Sequence, residues 1–141
     1  MNIRQASATD APFIQKLLQQ LEHPLTENEV LEKIQQYKAP YYHLLVCESE
    51  NKIVAFASLH WYDVFYDIGS IGRITAFCVD QVFRSKGIGR LLLAATEEFF
   101  KTQHCIRMEV SSNERRTGAH RFYLENGFIL NSKRFIKHLV K

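Results

Sequence analysis

The chain has 141 residues, of which 46% are hydrophobic and 23% charged, and its formal net charge is +3. This composition is typical of one folded globular domain rather than of a disordered chain. The small net charge does not indicate a nucleic-acid-binding protein, and the apolar runs are too short to cross a bilayer.

The three cysteines, Cys47, Cys78 and Cys105, are scattered along the chain and odd in number. This pattern favours buried, reduced thiols over a disulfide framework. The N-terminal residues lack the apolar core of a signal peptide. We therefore expect a cytoplasmic protein with no nucleic-acid or membrane partner.

The first predicted elements are a short strand over 3–6 and two amphipathic helices. Residues 7–10 have helix-start chemistry, and Pro12 falls in the first turn, where its missing N–H does little harm. Thr26 and Glu29 are spaced as a capping box, in which each side chain bonds the other's backbone N–H. The second helix is therefore expected to start at this box.

The middle of the chain is rich in β-branched and aromatic residues. Residues 42–47 and 53–62 are predicted to form a hairpin, followed by a third long strand over 71–79. An amphipathic helix starts at Ile88, and a further strand covers 105–110. A strand, helix and strand of this length predict a parallel crossover.

The sequence of the C-terminal part predicts a helix over 113–126 that begins polar and becomes amphipathic. Gly127 is placed to cap this helix in the left-handed conformation. Residues 128–130 and 135–140 are predicted to end the chain as two short strands.

The junction between the third long strand and its helix carries the strongest chemical signal. Residues 84–90 contain two glycines, separated by one residue, and three cationic side chains. Glycine lets successive backbone N–H groups converge, and a helix start adds free N–H groups and a positive dipole end. The segment therefore predicts an anion site, most simply for phosphate. The alternative is an ordinary strand-to-helix turn.

Together these features resemble the Gcn5-related N-acetyltransferase (GNAT) superfamily. Residues 84–89 fit its pattern Arg/Gln-x-x-Gly-x-Gly/Ala, and Asn113, the segment 119–123 and Gly127-Phe128 follow in register. The resemblance covers nearly the whole chain. It implies a single α/β (α+β) domain over 1–141, with a central mixed sheet of six to seven strands and about four helices. The implied order is β-α-α-β-β-β-α-β-α-β-β.

Within the superfamily, the segment from Glu109 to Leu124 is especially similar to small-molecule aminoalkylphosphonate and aminoglycoside-type acetyltransferases. His60 also has a counterpart in the aminoalkylphosphonate enzymes. The resemblance thus implies acetyl-CoA as co-substrate and direct transfer of its acetyl group to a primary amine of a small molecule in a ternary complex.

The resemblance also assigns the acetyl-CoA contacts. The backbone N–H groups of the loop would hold the pyrophosphate, and residues 77–79 would pair with the pantetheine arm. An N–H near Phe77 or Cys78 would polarise the thioester carbonyl. The residues assigned to acetyl-CoA are Phe77, Cys78, Val79, Arg84, Ser85, Lys86, Gly87, Ile88, Gly89, Arg90, Asn113 and Tyr123.

For the proton transfers, the resemblance makes Tyr123 the general acid that protonates the departing thiolate. The general base is less defined, because Arg73 and Ala76 stand where many relatives carry carboxylates. Glu109 and His60 are the base candidates, with His120 as a further one, directly or through water. No metal is expected.

The acceptor side leaves alternatives open. Arg73 suits an acidic or phosphonate-bearing acceptor, or it is a strand-edge arginine that points to solvent. Four aromatic residues near Arg73 are expected either to line the acceptor site or to lie at a homodimer interface: Trp61, Tyr62, Phe65 and Tyr66. A protein or peptide N-acetyltransferase and a non-catalytic acyl-CoA-binding module are the competing functions. A Rossmann module is disfavoured, since Leu92 stands where its third glycine would fall.

Overall fold

A computed structural model describes residues 1–112 and 116–140. Its strands are β1 (Asn2–Gln5), β2 (Tyr42–Ser49), β3 (Lys52–Asp63), β4 (Ser70–Val79) and β5 (Cys105–Val110). Its helices are α1 (Ala11–Gln20), α2 (Glu27–Gln36), α3 (Ile88–Thr102) and α4 (Thr117–Glu125), with short 3₁₀ turns at Ala8–Asp10 and Gln81–Phe83. The chain divides into two compact units, Met1–Ser111 and Ser112–Lys141.

The first unit contains one sheet in the order β1-β2-β3-β4-β5. Its pairs are antiparallel except for β4 and β5, which are parallel, so the predicted crossover through α3 is confirmed. The β4–β5 pairing ends at Ile74 and Val110, whereas β4 continues to Val79. Residues 75–79 therefore lie beyond the pairing of β4 with β5.

Helices cover both faces of this sheet. One face packs on α1 and α2 through a core that includes Ile14, Ile34, Val46 and Phe56. The alternating residues of β2 and β3 are also buried, which places a second layer on the opposite face. That layer is α3: a Cβ on Gly72 would lie 2.7 Å from the Phe100 ring, so only glycine fits there.

A β-bulge in β4 changes which side chains face α1 and α2. Ser58 pairs with Ala76 but the next residue, Leu59, pairs with Ile74, which leaves Thr75 as the extra residue. Before the bulge, Gly72 and Ile74 are on the α3 face. Because side chains alternate along a strand, the extra residue moves Ala76 to the α1/α2 face.

Helix starts follow the sequence closely. Thr26 N donates to Glu29 Oε1 at 2.9 Å, and Glu29 N donates to Thr26 Oγ1 at 3.1 Å, which confirms the capping box. Gly127 has φ of +91°, as predicted for a left-handed cap after α4. All three cysteines are free, and burial raises the pKa of the Cys47 and Cys105 thiols.

The end of the chain differs from the prediction. Residues 128–140 form no strand, so the described sheet has five strands rather than six to seven. The pattern of these residues suits a strand, but a strand also needs hydrogen-bonded neighbours. Their apolar side chains are 80–93% exposed at Ile129, Leu130, Phe135, Leu139 and Val140. No helix of the described residues is long and apolar enough to span a membrane.

An ion pair between the partly exposed Arg4 and the buried Asp10 links β1 to the start of α1. Asp10 is 4% exposed, and Arg4 binds both of its oxygens at 2.8 and 2.9 Å. Burial acts to raise the pKa of Asp10, but the Arg4 guanidinium and the Ser7 N–H outweigh it and hold that pKa below its ordinary value. The carboxylate therefore stabilises the fold at neutral pH, and this contribution is lost as the pH falls through the lowered pKa.

We expect Asp10→Asn to lower the free energy of unfolding by about 2 kcal/mol at pH 7. The loss should be smaller at pH 3, which lies below the ordinary pKa of an aspartate, so that the unfolded chain is largely protonated there and part of the stabilisation is gone. Urea denaturation at both pH values measures this difference. Glu32→Gln, at an exposed position of α2, is the control and should change stability little at either pH. An equal loss for Asp10→Asn at both pH values would contradict the ion-pair argument.

Candidate active site

The glycine loop (residues 84–90) is anchored where it leaves β4. Asp80 Oδ1 accepts hydrogen bonds from Val82 N at 3.1 Å and from Gln20 Nε2 at 3.3 Å. Gln20 Oε1 in turn accepts from Gln81 N at 2.9 Å. The end of α1 thus holds the turn that begins the loop.

The backbone of the glycine loop forms an open cradle. Ser85 and Gly87 have positive φ values of 65° and 82°. The first helical bond of α3 runs from Leu91 N to Gly87 O at 3.1 Å, so the N–H groups of residues 88–90 precede it and lack helical acceptors. A Cβ on Gly87 would meet no atom of the protein within 4 Å. Left-handed Gly87 before right-handed Ile88 is the geometry of an anion-binding nest.

Cationic side chains surround this cradle. Arg84 Nε donates to Val79 O at 3.1 Å, which holds the guanidinium beside the end of β4. Lys86 Nζ lies 5.5 Å from the centre of the Phe83 ring. Arg84, Lys86 and Arg90 are all exposed. Their charges add to the positive end of the α3 dipole.

The end of β4 leads into the cradle. Phe77, Cys78 and Val79 lie in the part of β4 beyond its pairing with β5. The Cys78 side chain is buried, and its Sγ donates to Leu17 O at 3.4 Å. The Cys78 thiol is therefore engaged in the core.

Four side chains form a cross-strand row (Tyr42, His60, Arg73 and Glu109). The register pairs Tyr42 with His60, His60 with Arg73, and Arg73 with Glu109, so the row crosses β2 to β5 on the α1/α2 face. The Tyr42 and His60 rings stack with centroids 4.3 Å apart. The structure thus places the two general-base candidates of the first unit, His60 and Glu109, in the same row.

The orientation of His60 is fixed by a backbone carbonyl. His60 Nδ1 lies 2.8 Å from Tyr41 O. Because a carbonyl oxygen only accepts, Nδ1 carries the hydrogen. In the neutral ring Nε2 then keeps a lone pair that can take a proton.

Glu109 is engaged by two arginines. Arg73 Nη1 lies 3.6 Å from Glu109 Oε1, and Arg107 Nε donates to Glu109 Oε2 at 2.9 Å. Arg73 also donates to Ser111 Oγ. Arg73 is therefore part of a polar cluster and not simply solvated, and each carboxylate oxygen of Glu109 lies beside an arginine.

Three hydroxyl groups beside the row were not singled out by the sequence. Thr75 Oγ1 lies 3.1 Å from the Tyr37 hydroxyl and 2.6 Å from Ser58 Oγ, and it donates to Ser58 O at 3.0 Å. The bulge brings Thr75 to Ser58, and a threonine in a strand carries no sequence signal for a bulge. Only the register reveals this cluster.

The aromatic residues near the acceptor side separate into two groups. Trp61 packs on α3, with its ring 5.4 Å from the Phe99 ring, whereas Tyr62 stacks on His60 at 5.4 Å. Phe65 and Tyr66, in the loop before β4, are exposed. Tyr62 is thus the member of this set that adjoins the row.

The C-terminal unit carries the remaining predicted residues. His120 and Tyr123 lie on α4, three positions apart. The Tyr123 ring is 5.5 Å from the Phe122 ring and 5.3 Å from the Phe128 ring. Asn113 lies outside the described residues. No group of three or more His, Cys, Asp or Glu residues that could hold a metal occurs in the described ranges.

The fold and this site define a class: α/β proteins whose mixed sheet opens between two parallel strands, beside a glycine-rich helix start. A sequence model of the acetyltransferase (GNAT) family matches residues 11–128, and the chain belongs to this family.

Individual relatives agree with this assignment. The aminoalkylphosphonate N-acetyltransferase of Salmonella typhimurium (strain LT2) is 33% identical over 100 residues, which are 71% of this chain and 65% of that protein. The match thus spans slightly less than two thirds of the relative's length. The crystal structure of a GNAT family acetyltransferase from Staphylococcus aureus subsp. aureus USA300_TCH1516 is 28% identical, with a TM-score of 0.84 and 98% of both chains covered.

An aminoglycoside N-acetyltransferase whose structure was determined in complex with CoA shares the fold. Its TM-score is 0.86 at 18% identity, with 97% of this chain and 93% of that chain covered. The fold is thus shared with a protein whose sequence identity to this chain is low.

Proposed function

We propose that this protein is an acetyl-CoA-dependent N-acetyltransferase that acts on a primary amine of a small molecule, with residues 1–141 forming one catalytic domain. The observation that carries the proposal is the open cradle at Gly87, which follows the part of β4 that extends beyond its pairing with β5. Membership of the GNAT family also supports acetyl-CoA as the donor. A Cβ at Gly87 would enter the space that the proposal gives to the pyrophosphate.

Residues of the first unit can be assigned to the pyrophosphate, the pantetheine arm and the thioester of acetyl-CoA. The N–H groups of residues 85–90 would hold the pyrophosphate, and Arg84 and Lys86 would add charge. The edge of residues 77–79 would pair with the pantetheine arm by backbone hydrogen bonds. An N–H near Phe77 or Cys78 would donate to the thioester oxygen as negative charge develops on it.

Proton transfer is assigned to two side chains. His60 Nε2 would take the proton that the amine loses, directly or through water, while Tyr41 O holds the ring in place. Tyr123 would protonate the departing sulfur. Glu109 then keeps Arg73 and Arg107 in position, which is a supporting role.

The polar cluster around Arg73 favours an acceptor that carries an anionic group. Two guanidinium groups, Arg73 and Arg107, flank Glu109, and Arg107 Nη1 also lies 3.8 Å from Asp67 Oδ2. Arg73 lies 3.6 Å from Glu109 and keeps N–H donors that planar or tetrahedral anions can use. The relative from Salmonella is named for aminoalkylphosphonates, so we propose amines with a phosphonate or carboxylate group as the first acceptor class. A homodimer is compatible with this site.

An amine panel tests the proposal. Release of CoA from acetyl-CoA is followed spectrophotometrically with aminoalkylphosphonates, aminoglycosides, polyamines, amino acids and a lysine peptide. We expect turnover with a small amine, highest for the anionic ones. Turnover with the peptide alone would favour a protein acetyltransferase. Acetyl-CoA binding without turnover of any amine would favour a non-catalytic acyl-CoA-binding module.

We expect His60→Gln to lower kcat by roughly 10- to 100-fold and to move the acid limb of the pH–rate profile. The reason is that a neutral His60 is needed to accept the proton. Steady-state rates from pH 5.5 to 9 measure both effects with one amine. His23→Gln, at an exposed position between α1 and α2, should leave the profile unchanged. An unmoved acid limb in His60→Gln would exclude His60 as the base.

A further inference from the structure

An apolar cavity of about 200 Å³ lies between α1, α2 and the face of the sheet that these helices cover. Its apolar walls are Ile14 and Leu18 of α1, Val30 and Ile34 of α2, and Leu44 and Phe56 of the sheet. Lys33, which also lines it, is exposed. The transfer mechanism described above does not use this space.

The polar groups in the cavity wall bond to one another. Thr75 Oγ1 donates its hydrogen to Ser58 O, and so accepts from the Tyr37 hydroxyl and from Ser58 Oγ. None of the described residues that line the cavity carries a carboxylate. An ammonium group would lose its hydration here without gaining a counter-charge, which is costly. The chemistry of the cavity therefore suits a hydrocarbon group.

The cavity extends to the end of β4. Thr75 and Ala76 line the cavity and belong to the part of β4 beyond its pairing with β5. Ala76 pairs with Ser58, and Ser58 pairs with Leu44. The neighbouring rung on the same face is the cross-strand row, about 7 Å away along the strands. A thioester carbonyl bound near the Phe77 backbone would therefore lie beside the apolar cavity. The polar cross-strand row would lie about 7 Å further along the strands.

We infer that this cavity is an acyl pocket, and that the protein transfers straight-chain acyl groups longer than acetyl, such as butyryl. The inference rests on the proposed function and extends it to the donor. The amine nitrogen forms a C–N bond with the carbonyl carbon, and the C–S bond breaks. Sulfur keeps the electron pair of that bond, and the proton lost by the amine completes the CoA thiol.

The test compares acetyl-, propionyl-, butyryl- and hexanoyl-CoA. Calorimetry gives the Kd of each donor without an acceptor, and kcat/KM is then measured with one amine that acetyl-CoA acetylates. Each methylene that enters apolar surroundings should tighten binding about fourfold. We expect the Kd to fall at each step from acetyl- to butyryl-CoA.

Leu18→Phe narrows the cavity from α1 and should remove the preference for butyryl-CoA while leaving the Kd of acetyl-CoA unchanged. Leu31→Phe is the matched control, because Leu31 is half-buried against the same core but does not line the cavity. Thermal unfolding of both variants measures any loss of stability. Leu25, in the segment between α1 and α2, also lines the cavity, and Leu25→Phe replaces Leu18→Phe if that variant does not fold.

Two results would overturn the inference alone. One is that acetyl-CoA binds and butyryl-CoA binds tenfold or more weakly. The other is that Leu18→Phe changes the preference among amines and not among acyl groups, which would assign the cavity to the acceptor. Failure of every donor to bind would instead overturn the proposed function, and with it the acyl pocket.

Discussion

Tyr123→Phe is expected to lower kcat by roughly one to three orders of magnitude while the Kd of acetyl-CoA stays within about twofold. A tyrosine hydroxyl is ordinarily protonated at neutral pH and can donate to a departing thiolate. Phenylalanine keeps the ring, which packs beside Phe122 and Phe128. Steady-state kinetics with the best amine of the panel, together with calorimetry, measure both quantities.

A packing role for Tyr123 predicts a different result. If the side chain only packs, Tyr123→Phe keeps its turnover, whereas Tyr123→Ala loses both stability and turnover. Thermal unfolding of the two variants separates these outcomes. Unchanged kcat in Tyr123→Phe would exclude the acid role and leave water as the proton donor.

Gly87→Ala should weaken acetyl-CoA binding about 10- to 100-fold, the effect of losing one charge-assisted hydrogen bond or two weaker ones. The new methyl group would stand in open space over the cradle, since no protein atom lies within 4 Å of it. The left-handed backbone at Gly87, with φ of +82°, adds strain of about 1 kcal/mol. Calorimetry measures the affinity, and thermal unfolding measures the strain.

Gly127→Ala is the matched control for that strain. Gly127 also has a left-handed φ, +91°, and space around its Cβ position, but it caps α4. Both variants should lose similar stability, and only Gly87→Ala should lose affinity. Equal affinities in the two variants would show that the phosphates bind elsewhere.

Local chemistry made much of this fold predictable. The capping box at Thr26 and Glu29 was predicted from two side chains in one turn, and β5 has the predicted bounds, Cys105–Val110. The glycine loop was predicted for the same reason, because its glycines and helix start are adjacent in sequence. Such features depend on neighbours within a few residues.

Features that depend on distant partners were not predictable. The strands expected over 128–130 and 135–140 have a suitable composition, but composition does not provide a hydrogen-bonded neighbour. The cross-strand row requires the register of four strands, and the orientation of His60 depends on a backbone oxygen at Tyr41. His60, Arg73 and Glu109 were each noted in the sequence, but their alignment in one row was not.

The bulge at Thr75 sets the chemistry of the α1/α2 face as well as the course of β4. Removing Thr75 would restore strict alternation and leave Ala76 and Cys78 on that face, because they would keep their partners Ser58 and Phe56. The hydroxyl that joins Tyr37 to Ser58 would be lost. Homologous chains that keep the glycine loop but are one residue shorter here would therefore share the donor cradle and the apolar wall of the cavity, and lack its hydroxyl cluster.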